Sequence, residues 1–161
     1  MKHYTHPTFG DFTCCHCRQF VTAQAAFSGV QNRNHCPVCL YSRHLDLYRA
    51  GDRLAACKAP MRPIALTLKR SPKKYGSDRH GELMIVHRCQ DCGVFSINRV
   101  AADDCADSLF AVFRASLTFS PEELTVLAQQ SIQILTAPDE DALHARLFGC
   151  QSLRIPDWAL S

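Results

Sequence analysis

Six of the ten cysteines in this chain come in pairs of one spacing: Cys14 and Cys17, Cys36 and Cys39, and Cys89 and Cys92 each form Cys-x-x-Cys. At that spacing one backbone turn brings two thiolates onto one metal ion, at about 2.3 Å each for zinc. Eighteen residues separate Cys17 from Cys36, an interval over which two such knuckles close one four-cysteine zinc ribbon. Pro37 restricts the backbone of the second knuckle. Gly93, directly after the third, tolerates the positive φ that suits a closing turn. Cys14, Cys17, Cys36 and Cys39 therefore predict a structural site, because four protein ligands leave a tetrahedral ion no position for water or substrate. Cys15 competes with Cys14, but a Cys15-x-Cys17 pair would strain the knuckle.

The string Arg33-Asn34-His35-Cys36-Pro37 resembles the signature of the RNHCP domain, a bacterial zinc-finger-like family named for it. Further stretches resemble that family in order: Phe12 to Cys17, Cys39 to Asp46, Gly51-Asp52-Arg53, Met61-Arg62-Pro63, Val86 to Cys89 and Asn98 to Ala101. The resemblance covers residues 9 to 104. It implies a zinc fold and no particular activity. One departure is Arg18, which follows Cys17 where the family usually has glycine.

A second site is expected at Cys89 and Cys92 with Cys57, the only nearby thiol within that stretch, and one histidine. His44 is the first choice, since a His44/Cys57 pair can cross to the third knuckle. His87 is second, on the face of Cys89 if that segment is extended. His35 is third, next to a cysteine already turned to the first site. Three cysteines and one histidine make a closed structural zinc site, whereas three thiolates with a water would make a candidate enzyme. No His/Cys-x-Glu precedes a Pro-Cys-x-x-Cys in the chain, which argues against deaminase-like zinc chemistry.

The polar residues His44, Asp46, Asp52, Arg53, Asn98, Arg99, Asp103 and Asp104 could line a hydrolytic cleft. Structural networks explain them better: Asp52 and Arg53 around the knuckles, Arg33 and Asn34 on knuckle backbone, and Asp103 and Asp104 capping a following helix. Cys105 and Cys150 fall outside any pairing and read as small apolar residues.

These residues need elements to hold them. Strands are expected at 19–22, 63–68, 82–87 and 94–99, from β-branched and apolar runs between turn signals. From Asp104 the pattern turns helical. Leu109, Val112, Phe113, Ser116 and Leu117 share one helical face, and Ser120-Pro121-Glu122-Glu123 is a capping box. Leu124, Leu127, Ala128, Ile132 and Leu135 form the next stripe, and a third helix over 139–148 stops at Gly149. The fold class is α+β, with a small antiparallel zinc-ribbon-like β module at 9–104 followed by a helical segment at 105–161.

The net charge of +3 hides an asymmetry. Residues 1–100 carry fifteen Lys and Arg against six Asp and Glu, a net +9, and residues 101–161 carry three against nine, a net −6. The loop from Lys69 to His80 holds Lys69, Arg70, Lys73, Lys74 and Arg79 around Tyr75. Basic side chains meet phosphates and an aromatic ring stacks on an unpaired base, so RNA or the ribosome is the expected partner, with these six residues in contact. A protein adaptor acting through the acidic helices is the alternative, and a zinc enzyme a weaker one. No signal peptide and no apolar run of membrane length is visible, so the cytoplasm is expected and a membrane is not. In a reducing compartment paired cysteines hold metal rather than disulfides, and two zinc ions are expected.

Overall fold

The computed structural model describes residues 10–69 and 81–149. The fold is α+β. A two-stranded antiparallel ribbon, β1 (Phe12–Thr13) and β2 (Phe20–Val21), flanks the first knuckle. A single helical turn, α1 (Ala25–Ser28), follows, and Gly29 closes it at φ 70°. The main sheet has four antiparallel strands in sequence order: β3 (Ser42–Arg43), β4 (Pro60–Lys69), β5 (Glu82–Cys89) and β6 (Phe95–Arg99).

β4 is longer than its expected span and carries two prolines, Pro60 and Pro63. Pro63 cannot donate to a ladder, and the register with β5 slips between Pro63 and Ala65. A bulge is where a strand tolerates such a residue. Both faces of the β4–β5 hairpin are covered, so β5 reads as a near-continuous buried run from Leu83 to His87.

Helices α2 (Ala106–Ser116), α3 (Pro121–Gln129) and α4 (Glu140–Phe148), with a 3-10 turn at Ala137–Asp139, complete the described chain. Leu109 and Phe113 of α2 and Leu143 of α4 share one core with Leu40, Leu66, Leu83 and Ile85. The helical segment thus lies against the sheet that carries the third knuckle at the end of β5. The capping box at Ser120 and Glu123 forms in both directions.

Two expectations are corrected. The stripe from Leu124 to Leu135 is not one helical face: α3 ends at Gln129, Leu124 is exposed, and only Leu127 of that helix is buried. Ile132 and Leu135 reach the core from an extended segment that covers the outer edge of β4, where Leu135 N donates to Leu66 O at 2.8 Å. A sheet edge in need of partners ends the helical periodicity there. Asp103 and Asp104 do not cap α2: its N-cap is Cys105, without a side-chain cap. Their carboxylates are drawn to buried cations instead, as described below.

Lys69 ends β4 and is exposed. Arg70, Lys73, Lys74, Tyr75 and Arg79 lie outside the described residues, as does Cys150.

Candidate metal centres

All three knuckles are one turn built three times. In each, the first cysteine's N–H donates to the carbonyl five residues on: Cys14 to Gln19, Cys36 to Tyr41 and Cys89 to Val94, at 2.8–2.9 Å. Its carbonyl accepts from the residue after the second cysteine: Arg18 at 3.2 Å, Leu40 at 2.9 Å and Gly93 at 3.1 Å. That residue sits in the left-handed region each time, at φ 65°, 63° and 76°. The position thus favours glycine, and Arg18 and Leu40 fill it at a cost of roughly 1–2 kcal/mol each.

The turns assemble two four-ligand groups. Cys14, Cys17, Cys36 and Cys39 present their Sγ atoms within 4.8 Å of one another, as do Cys57, Cys89 and Cys92 with a ring nitrogen of His44. Sγ atoms of Cys14 and Cys39 lie 3.5 Å apart, of Cys17 and Cys36 3.6 Å, and of Cys57 and Cys89 3.6 Å. The Cys92 Sγ is 3.3 Å from His44 Nδ1. Tetrahedral zinc with bonds of about 2.3 Å to sulfur sets adjacent sulfurs about 3.8 Å apart. These separations fit that edge and are far too long for a disulfide, which holds its sulfurs at about 2.05 Å. The donor sets therefore fit a divalent ion of zinc's size and softness.

Backbone pairing carries the second group's distant members. His44 N donates to Ala59 O at 2.9 Å and Lys58 N to His44 O at 3.1 Å, which holds His44 beside Cys57. The third knuckle arrives at the end of β5, with Cys89 opposite Met61.

Local dipoles prepare the thiols. Burial opposes ionisation of Cys14, but the amides of Cys17 and His16 outweigh it and bring the thiol down to about 7. Burial likewise opposes Cys89, and the amides of Cys92 and Asp91 bring it down to about 6. Burial pushes Cys36 and Cys39 up. A bound cation is the charge that would deprotonate such thiols outright.

Residues 9–110 match the RNHCP domain. The chain belongs to the RNHCP domain family. No curated protein and no solved structure matched the chain.

The RNHCP signature now has a structural account. Arg33 is buried, and its guanidinium donates to Asp103 at 2.7 Å and to Asp104 at 3.3 Å, while Nε donates to the His35 carbonyl at 3.1 Å. His35 Nε2 donates to Asp104 at 2.8 Å. The same carboxylate accepts from Ala101 N at 2.7 Å. Cys36 supplies a thiol, and the Pro37 carbonyl accepts from Cys105 N at 2.8 Å. Sequence spacing could not reveal this network, because its partners lie about seventy residues apart.

His87 and His35, the alternative fourth ligands, lie outside both groups. His87 Nε2 donates to Leu40 O at 2.7 Å, so Nδ1, 2.8 Å from the Asn98 amide, is the acceptor. Complete burial holds this ring neutral, with its pKa lowered to about 3. Both nitrogens are engaged, and a buried carbonyl is what His87 serves. Cys15 is likewise outside the first group and donates to Ser42 O at 3.6 Å.

Of the remaining polar residues, His44, Asp46 and Asn98 line one cleft of about 190 Å³, and the others serve separate local networks. Asp52 accepts from the amides of Leu47, Tyr48, Arg49 and Leu54, which fixes the 47–54 loop and lowers its pKa. Asp46 accepts from Gly51 and Arg53 amides and pairs with the Arg53 guanidinium at 3.6 Å. Arg99 pairs with Glu82 at 3.2 Å. Among the described residues no helix is long and apolar enough to cross a membrane.

Proposed function

We propose that the protein is a cytoplasmic zinc-binding module that associates with RNA or the ribosome. Both ions are structural, and Cys14, Cys17, Cys36, Cys39, His44, Cys57, Cys89 and Cys92 are their ligands. The observation that supports the metal half is that each group brings four potential ligand atoms within 4.8 Å of one another; four protein ligands leave a tetrahedral ion no position for a substrate. Residues 9–104 form the binding module, and α2 and α4 of the following segment buttress it.

The net +9 over residues 1–100 supports the RNA half. Contacts run through Lys69, Arg70, Lys73, Lys74, Tyr75 and Arg79. The test is a salt titration of affinity for single-stranded RNA and for ribosomes. Changing Lys73 and Lys74 together to Ala lowers affinity whatever the RNA sequence, and lowers the salt slope by about 0.7 for each phosphate left without its cation. Unchanged affinity and slope remove this loop from the interface.

A second reading has one observation behind it. On α3 only Leu127 is buried, and Leu124 stands exposed on the face it shares with Ala128, with the acidic Glu122 and Glu123 in the first turn. Such a face suits a protein partner. Capture of a partner that survives nuclease and is lost on Leu124→Glu would favour this reading.

A further inference from the structure

A cleft of about 320 Å³ opens between the first knuckle and the segment that leads into the main sheet. Phe12, Asn34, Tyr41, Arg33, Arg43 and Arg53 are among its lining residues, and no Asp or Glu is. It shares no ligand atom with either metal group.

The charges in its wall are not equivalent. Arg33 is neutralised by Asp103 and Asp104, and Arg53 pairs with Asp46. Arg43 is exposed, donates to the Lys58 carbonyl at 3.4 Å and to the Cys15 thiol in the cleft wall, and meets no carboxylate among the described residues. One cation therefore remains for an anion from outside.

Asn34 stands apart from the rest of the RNHCP signature. Arg33 and His35 are tied to the two aspartates, Cys36 offers a thiol, and Pro37 anchors the start of α2. The Asn34 main chain is used too, its carbonyl accepting from Ser42 Oγ at 3.0 Å. Its side-chain amide makes no hydrogen bond among the described residues. It lines both this cleft and a neighbouring one of about 190 Å³ beside His44. A carboxamide pairs with the donor and acceptor edge of a nucleobase, and Phe12 supplies an aromatic surface in the same cleft.

We propose that this cleft is a nucleotide site of a single-stranded RNA, with the base edge on Asn34, the base against Phe12 and the phosphate on Arg43. The inference rests on the RNA reading above and adds a surface to it.

The test uses the full chain and labelled fifteen-nucleotide homopolymers of A, C, G and U, titrated at several salt concentrations. Arg43→Ala weakens binding to all four and lowers the salt slope by about 0.7. Asn34→Ala weakens binding about fivefold or more, unequally among the four bases and without change in slope. Phe12→Leu keeps an apolar side chain against the Cys14, Val21 and Cys36 cluster but removes the ring, and weakens binding about tenfold for every base. All three variants keep the wild-type metal content and melting temperature, so a fold defect is separated from a binding defect. Wild-type affinity in all three, with weakened binding in the Lys73/Lys74 double variant, overturns this site and leaves the RNA reading standing. No binding of any homopolymer or of ribosomes by the wild-type chain at low salt overturns both.

Discussion

The side chains of Arg33 and Asp104, each with 0% exposure, meet at 3.3 Å across 71 residues of chain. They join the second knuckle to the start of α2, at a point where Asp104 also receives His35 and the Ala101 amide. A buried ion pair of this kind is costly to break from one side, because the surviving charge stays buried. Asp104→Ala is expected to cost about 3–5 kcal/mol in urea unfolding. Asp103→Ala, at a carboxylate that is 34% exposed, is expected to cost less than Asp104→Ala, because Arg33 keeps the buried Asp104 as its counter-ion. Equal losses for the two would contradict the assignment of Asp104 as the hub.

The three knuckles make a second prediction. Arg18 is exposed and left-handed at φ 65°, in the position that Gly93 fills in the third knuckle. Arg18→Gly removes the Cβ strain and no packing, so it is expected to stabilise the fold by about 1 kcal/mol. Leu40→Gly relieves the same strain but empties a fully buried core position, and is expected to destabilise by more than about 2 kcal/mol. A stabilising Leu40→Gly, or a destabilising Arg18→Gly, would contradict this account of the turn.

The second metal group distinguishes two histidines. His44→Ala is expected to release one ion and keep the other. His87→Ala is expected to keep both, while reducing stability by about 1–3 kcal/mol because Leu40 O is left buried without its donor. Metal content by mass spectrometry of the intact folded chain reads both variants. An ion released from His87→Ala and retained in His44→Ala would reverse the ligand assignment.

The knuckles, the main strands and the helix starts at Ser120 and Asp139 were legible in the sequence because their signals are local. Cys-x-x-Cys, alternating apolar runs and capping boxes each act over a few residues. What escaped is long-range. Nothing in the spacing of Asp103 and Asp104 told a helix cap from a counter-ion for Arg33, and both uses suit a carboxylate before a helix. The stripe from Leu124 to Leu135 kept helical periodicity past Gln129, yet the open edge of β4 drew Leu135 N to Leu66 O instead. His44 and His87 were separated only by geometry, since each lies within reach of Cys89 on paper. The left-handed turn explains why glycine suits the position of Arg18, a point that the string alone left open.

Metal stoichiometry tests the central claim most directly. Intact-mass measurement under native conditions, with elemental analysis of the same sample, is expected to find two zinc ions per chain. Under denaturing conditions all the cysteines are expected as free thiols. Cys36→Ser and Cys89→Ser are each expected to lose one ion and to unfold the module around it. A single ion, iron in place of zinc, or a folded Cys36→Ser or Cys89→Ser variant with the wild-type melting temperature would contradict the two-site account.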